Sequence, residues 1–533
     1  MQLTPGAWPP AHSQDAYGTG LSGAPLSGST GLALAYGATL LAFLLALGLR
    51  RPPAVRWLLA PLLAMPLTAL GLLVAAVAAA LTGVRHPALG ALLTALPLTA
   101  AGFLGGHRVG APAAGRDGEV RRGAVVVGFA RRRPAPGLTL AGVPVAPADE
   151  VRHFKCLGTT GTGKSTAIRE LLDAALARGD RAVIADPDGG ALARHYDPAR
   201  GDVILNPFDP RARRWDPFLE LRSPHDPEQL ARSLIGEGRG GEQAWRSYAQ
   251  VLTADLLRRL ALLDGDRLGE LHRLLSAAEP AELRILLEGT TAAALVAEGN
   301  ERMLASVRAV ASSASATLAH LAAQPGESFS IRHWIEHGRG VLFLPYRADE
   351  IAALRSIVST WMRTAIFQAM SEGEGDRRLW FVVDELDALG AIDGLPDALA
   401  RLRKFGGRVL LGFQSIAQVS GTYGEAAART IVENCASTLI LRCSASEGGG
   451  TARFAAQLIG EREVLRLQTS TSHDAGSFGR GRRSSSASLQ RGVEPAVLAA
   501  EIERLADLEG YLKLASGADW HRVRLVPASL SSR

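Results

Sequence analysis

Gly158 to Ser165 reads GTTGTGKS, and no other stretch restricts the possible folds of this chain so tightly. It satisfies G-x-x-x-x-G-K-[ST], follows the short apolar run HFKCL, and continues into TAIRELLDAALARG, which is apolar at helical spacing. A strand, a glycine-rich turn and a helix in that order belong to an α/β sheet whose loop N–H groups converge at a helix N-terminus. Glycines at 158, 161 and 163 let that backbone curl around phosphate oxygens. The expected nucleotide cradle is therefore Gly158, Thr159, Thr160, Gly161, Thr162, Gly163, Lys164, Ser165 and Thr166. Lys164 reaches the β and γ phosphates of ATP, and Ser165 offers its hydroxyl to Mg2+.

Hydrolysis needs more than binding. Leu379 to Leu386 reads LWFVVDEL, an apolar run of strand character ending in two acids. Asp384 is expected in the magnesium shell and Glu385 as the general base that polarises the attacking water. A further run, VLLGF, ends at Gln414 and Ser415. An amide there can hydrogen-bond the γ-phosphate or the water, which makes Gln414 a catalytic candidate beside the plainer reading of a polar strand end. RAVIAD, GVLFLPY, TLILRCS, GYLKLAS and RVRLV add strand-like runs between helical segments. The fold class expected is α/β: a RecA-like P-loop NTPase domain with a mainly parallel sheet covered on both faces. Strand order is not readable at this level.

The apolar residues are unevenly placed. Residues 31–49, 57–82 and 88–106 are three uncharged apolar runs, each long enough to cross about 30 Å of hydrocarbon as a helix. No Lys or Arg precedes Arg50, whereas the loop after the first run holds Arg50, Arg51 and Arg56 and the next loop only Arg85. The N-terminus is expected outside and everything after Gly106 in the cytosol, a multi-pass anchor in a lipid bilayer. No positive n-region marks a cleaved signal peptide. Three cysteines without a CxxC pair indicate a reduced compartment and no cysteine metal cluster. The net charge of +6 suits an anionic partner without specifying one. Only Lys155, Lys164, Lys404 and Lys513 are lysines, so where one is kept the ammonium itself is expected to matter.

Between residues 216 and 336 the pattern turns to helical segments such as YAQVLTADLLRRLALL, read as an all-α inserted domain. Ser470 to Leu489, rich in Ser, Gly and Arg, reads as a mobile loop. The expected domain map is a 1–30 extracytoplasmic tail, a 31–106 transmembrane region, a RecA-like domain from 107–215 and 337–533, and the 216–336 insert.

From about Arg121 to Leu525 the chain resembles the VirD4/TraD/TrwB coupling proteins. The resemblance runs through RHF with GTTGTGKS, VIADPDGG, DVILNPFDPRARRWDPF, FVVDELDALG, RLRKFGGRVLLGFQSIAQVSGTYG and VEPAVLAAEIERLADLEGYLKL. It implies a homo-hexameric ring and ATP-driven pumping of DNA without sequence specificity. It also implies contacts to a relaxase (the relaxosome) and to the channel components of a type IV secretion system. The matching arginine of the family falls at Arg403, a candidate finger for the neighbouring subunit's phosphates, with Arg401, Lys404 and Arg408 as rivals and a basic solvated or DNA-facing surface as the alternative. Two further readings stand beside it: an FtsK/HerA-class partition translocase, and a substrate-recruiting receptor without translocase activity. Three N-terminal spans exceed the two usual in such proteins.

Overall fold

The structure is a computed structural model that describes residues 28–50, 60–82, 94–104, 119–130, 137–238, 240–446, 449–473 and 483–527. Two compact units divide the chain, one of Met1–Glu119 with Leu465–Arg491 and the other of Val120–Val464 with Gly492–Arg533.

In the first unit, Gly28–Arg50 and Ala60–Thr82 are helices, and Thr94–Leu104 is a shorter apolar one. Alanines fill many of the buried positions, beside Phe43 and Leu98, while many leucines face outward. Ala42, Ala46, Ala60 and Ala64 are buried, whereas Leu32, Leu41, Leu45, Leu62 and Leu73 are each more than 60% exposed. A Cβ on Gly102 would lie 2.3 Å from the Thr39 carbonyl oxygen, so these two helices approach at backbone distance. Buried Thr39 and Thr68 satisfy their hydroxyls on the carbonyls of Ala35 and Ala64, one turn back. Among the described residues one stretch, Ala60–Val77, is long and apolar enough to cross a membrane, and Leu32–Ala46 and Thr94–Leu104 fall short. Of the three expected spans, one is matched among the described residues by a segment of spanning length. Parts of all three expected spans lie outside the residues whose side chains the structure describes.

The second unit is built on a ten-stranded sheet. Its order is Val126–Phe129, Trp520–Arg524, Glu509–Lys513, Ser437–Ile440, Phe154–Leu157, Gly407–Phe413, Leu379–Val383, Arg181–Pro187, Val341–Tyr346, Val203–Ile204. Every pairing is parallel except the two made by Glu509–Lys513. The central strands are buried along their whole length because both faces are covered. Alternate residues feed two cores: Leu157, Val183, Leu342, Phe381, Val409 and Leu411 on one face, Phe154, Ile184, Phe343, Trp380, Val382 and Leu410 on the other.

Between Val203–Ile204 and Val341–Tyr346 the chain is mainly helical, the long members being Gln243–Leu260 and Glu301–Ala323. Its leucines join the first of the two cores. Arg214–Trp215 and Ser328–Phe329 pair in parallel, so the stretch expected to be wholly helical contains a strand near its end. A two-residue strand leaves no readable alternation. The second correction concerns Ser470 to Leu489: most of it is extended backbone in Glu461–His473 and Arg483–Pro495, which pair in a separate three-stranded sheet with Glu119–Gly123. Ladder bonds are made by main-chain groups, and composition does not encode them. Residues 474–482 lie outside the described residues.

Lys155 gives one answer to the scarcity of lysine. It sits in the strand before the phosphate loop, is 6% exposed, and donates to the carbonyls of Val432 (3.0 Å) and Cys435. These close the end of helix Glu425–Asn434, where a cation also meets the negative end of the helix dipole. Burial pushes its ammonium below the usual lysine range.

Candidate nucleotide site

The strand Phe154–Leu157 ends at Gly158, and helix Lys164–Ala177 begins after Gly163. Gly161 and Gly163 hold φ of +78° and +115°, in the left-handed region that favours glycine. A Cβ on Gly158 would lie 2.7 Å from the Thr162 hydroxyl oxygen and 2.9 Å from Leu441 Cβ, so the first glycine is required by space. Lys164 Nζ donates to the carbonyls of Gly158 (2.7 Å) and Thr159 (3.3 Å), threading the ammonium back through the loop it closes. Burial lowers its pKa, and the nearby carboxylates of Asp384 and Glu385 oppose that shift.

Three neighbouring parallel strands deliver the other groups to this edge. Phe413 pairs with Leu157, and Leu411 with Val383, so Gly158, Gln414, Asp384 and Glu385 all follow the C-terminal ends of adjacent strands. The Ser165 hydroxyl donates to Asp384 Oδ2 at 2.7 Å. Asp384 Oδ1 is shut off from solvent and has no hydrogen-bond partner. Burial raises the pKa of Asp384, with the Ser165 bond and Lys164 pulling it back. Gln414 Nε2 donates to Glu385 Oε1 at 2.9 Å, and its Oε1 accepts from the Thr160 hydroxyl at 3.0 Å. The amide thus links the phosphate loop to the expected base. Burial also raises the pKa of Glu385; the Gln414 bond lowers it and the charge of Asp384 adds to the rise.

Ser165, Asp384 and Glu385 line a cavity of about 260 Å³ together with Arg169, Asp186 and Asp188. A larger cavity of about 440 Å³, beside Arg214, Asp216 and Arg267, lies away from these strand ends and lacks a phosphate loop. A serine hydroxyl and an orphaned carboxylate oxygen are hard ligands of the kind that Mg2+ takes, so the donor set fits that ion. The loop N–H groups and Lys164 suit a triphosphate.

Asp186 was not singled out from sequence. It is the penultimate residue of the strand Arg181–Pro187 and accepts from the N–H groups of Ala191 (3.0 Å) and Leu192 (2.7 Å), fixing the turn that forms one cavity wall. The signal was available: VIAD closes an apolar run with an acid as LWFVVDE does. Arg169 was also missed. It lies one helical turn after Ser165 on the same face, and its charge opposes the raised pKa values of both Asp186 and Asp384.

Arg403 is not brought to this site. It forms a single turn, Arg403–Phe405, before the strand Gly407–Phe413, whereas Gln414 follows that strand. Seven residues at about 3.3 Å each put roughly 20 Å between the two ends. Arg401, Arg403 and Lys404 are exposed. Arg408 is removed from the rivals because its buried guanidinium is held by Glu150 (2.8 Å), Asp376 (2.9 Å) and the Gly406 carbonyl (2.7 Å). His153 anchors the same corner. Its Nδ1 accepts from the Val409 N–H at 3.2 Å, which leaves Nε2 to donate to the Leu399 carbonyl at 3.0 Å, in the helix before Arg403. Burial pushes the His153 pKa down to about 4, so the ring is neutral in this role.

The family described as the type IV secretion-system coupling protein DNA-binding domain matches residues 137–526. The coupling protein TraD of Escherichia coli (strain K12) is 32% identical over 385 residues, which is 71% of this chain and 53% of TraD. The type IV secretion system-coupling protein VirD4 of Bartonella henselae is 40% identical over 73 residues, 13% of this chain and 11% of VirD4. The chain therefore spans about half the length of TraD and a small part of VirD4. Among solved structures, the bacterial conjugative coupling protein TrwBdeltaN70 is similar at 34% identity and a TM-score of 0.69, covering 79% of this chain and 96% of that one. The plasmid coupling protein TrwB in complex with ADP and Mg2+ is similar at 33% identity and a TM-score of 0.68, covering 79% and 97%.

Proposed function

This chain belongs to the family of type IV secretion-system coupling proteins, and on that premise we propose that it is a membrane-anchored hexameric ATPase that moves DNA from a relaxase complex into a type IV secretion channel. One observation carries the reading: the phosphate loop, Asp384, Glu385 and Gln414 converge at the ends of three adjacent parallel strands and are joined by hydrogen bonds. The similar TrwB structures with ADP and Mg2+ and with the ATP analogue ADPNP support ATP and magnesium as ligands.

In the proposed cycle, Gly158 to Thr166 wrap the phosphates and Lys164 swings from its loop carbonyls to the β and γ oxygens. Ser165 and Asp384 would hold magnesium, which would offset the negative charge of the phosphates. Glu385 takes the proton of the attacking water as the water's oxygen bonds to the γ phosphorus and the bond to ADP breaks. Gln414 holds Glu385 and, through Thr160, registers the state of the loop.

Arg403 serves the neighbouring subunit. Its exposure at the opposite edge of the sheet suits a group that acts across an interface and rules out a contact with its own chain's phosphates. Arg403→Ala subunits and Lys164→Ala subunits are each expected to be nearly inactive alone, yet a mixed ring should recover part of its ATP turnover. Some interfaces would then join an intact loop to an intact arginine. Absence of recovery in verified mixed rings, or full turnover by Arg403→Ala alone, would remove Arg403 from the site.

The N-terminal helices anchor the ring, with Ala60–Thr82 as a span and the two flanking apolar helices completing a multi-pass inner-membrane anchor. The outward leucines support this. The full chain should leave membranes only with detergent, and a chain lacking residues 1–107 should be soluble. A truncated chain that still sediments with membranes contradicts the assignment.

A further inference from the structure

Helix Ile331–His337 carries His333, Glu336 and His337 at spacings that place all three on one face, while Trp334 and Ile335 turn into the core. Both histidines are exposed and Glu336 is half-buried. Their ligand atoms all lie within 4.8 Å of one another. The imidazoles stack with centroids 4.7 Å apart and ring planes 28° apart. Glu336 Oε1 accepts from Gln368 Nε2 at 3.0 Å and from Arg222 Nη1, which fixes the carboxylate and leaves Oε2 3.6 Å from His337 Nδ1.

We propose that His333, Glu336 and His337 bind a zinc-class transition-metal dication. Imidazole nitrogen selects such ions over magnesium and calcium, which take oxygen ligands. Tetrahedral zinc with bonds of about 2.0–2.2 Å brings its ligands to roughly 3.3 Å of one another. Two exposed rings reach that spacing by rotating about their side-chain bonds, and water fills the fourth position. Arg222 and Gln368 already orient the carboxylate from outside, the arrangement that tunes metal ligands. The order His-x-x-Glu-His also occurs in zinc hydrolases, where the glutamate is the general base. Here Glu336 is held by Arg222, so the site binds and does not catalyse. The ion would pin the last turn before the strand Val341–Tyr346 to Glu336 and, through it, to Arg222 and to Gln368 in helix Ile351–Ser371.

The test uses the full chain in detergent, purified on a tag without histidine and stripped with a chelator. Zn2+ uptake is read by competition with a chromophoric chelator, and the ligand field by the visible bands of Co2+. The wild type should take up one ion with micromolar affinity. His333→Gln and His337→Gln should each weaken it by at least about tenfold, and the double variant should lose both that site and the Co2+ bands while its thermal unfolding without metal stays unchanged. Because the chain has 12 histidines, the double variant separates this site from scattered binding. Unchanged uptake by the double variant, or no uptake by the wild type at about 100 µM Zn2+, would overturn the proposal.

Discussion

Lys164→Ala is expected to lower ATP turnover by at least about a hundredfold, since removing one preorganised donor from a developing phosphate charge costs on that order and this donor is also a cation. Lys164 is 7% exposed, and its ammonium is held by the carbonyls of Gly158 and Thr159. The substitution also leaves the Gly158 carbonyl short of a donor, a cost of about 1–3 kcal/mol for an unsatisfied buried group, whereas the Thr159 carbonyl keeps the Thr162 hydroxyl at 2.7 Å. Thermal unfolding of the variant should be cooperative and only modestly shifted, which separates lost chemistry from lost fold. DNA transfer from a donor cell carrying only this variant should fall with turnover. Turnover within a few-fold of the wild type would mean that the loop is not the catalytic phosphate site.

Glu385→Gln should bind nucleotide as the wild type does and turn it over about 10²–10⁴-fold more slowly, the range for loss of a positioned base. Glutamine keeps the shape and retains an oxygen able to accept from Gln414, so the link to Thr160 survives. The pH profile carries the sharper signature. A base must be ionised, so the rate falls as pH drops through its pKa. Burial sets the pKa of Glu385 above the ordinary glutamate value, so the acid limb should lie above the usual carboxylate range and be missing from the glutamine variant. Loss of nucleotide binding would instead make Glu385 a structural support of the loop.

Much of this site is written in local sequence. A phosphate loop needs three glycines, a lysine and a serine within eight residues, and the acids of the LWFVVDEL segment directly follow their strand. Such signals survive because backbone geometry fixes the side chains over short distances. The join between them is not local. Thr160 and Gln414 are 254 positions apart in sequence and meet only because their strands are neighbours. Arg403 shows the converse, since eleven positions separate it from Gln414 and a whole strand holds them apart. Lys155 is equally non-local: its ammonium donates to the carbonyls of Val432 and Cys435, partners about 280 positions away that its own strand does not name. The strands within Ser470 to Leu489 were missed because serine and glycine carry no strand pattern.

The central claim is that this site drives movement along DNA, and the most direct test is steady-state ATP turnover by the full chain, with and without DNA. Both single-stranded and duplex DNA should be tried, over a range of salt concentrations. At least one form should stimulate turnover several-fold regardless of its sequence. The stimulation should fade as salt rises, because phosphate contacts release counterions, and Lys164→Ala should show none. Turnover by verified rings that neither form of DNA changes at any salt concentration would contradict the account.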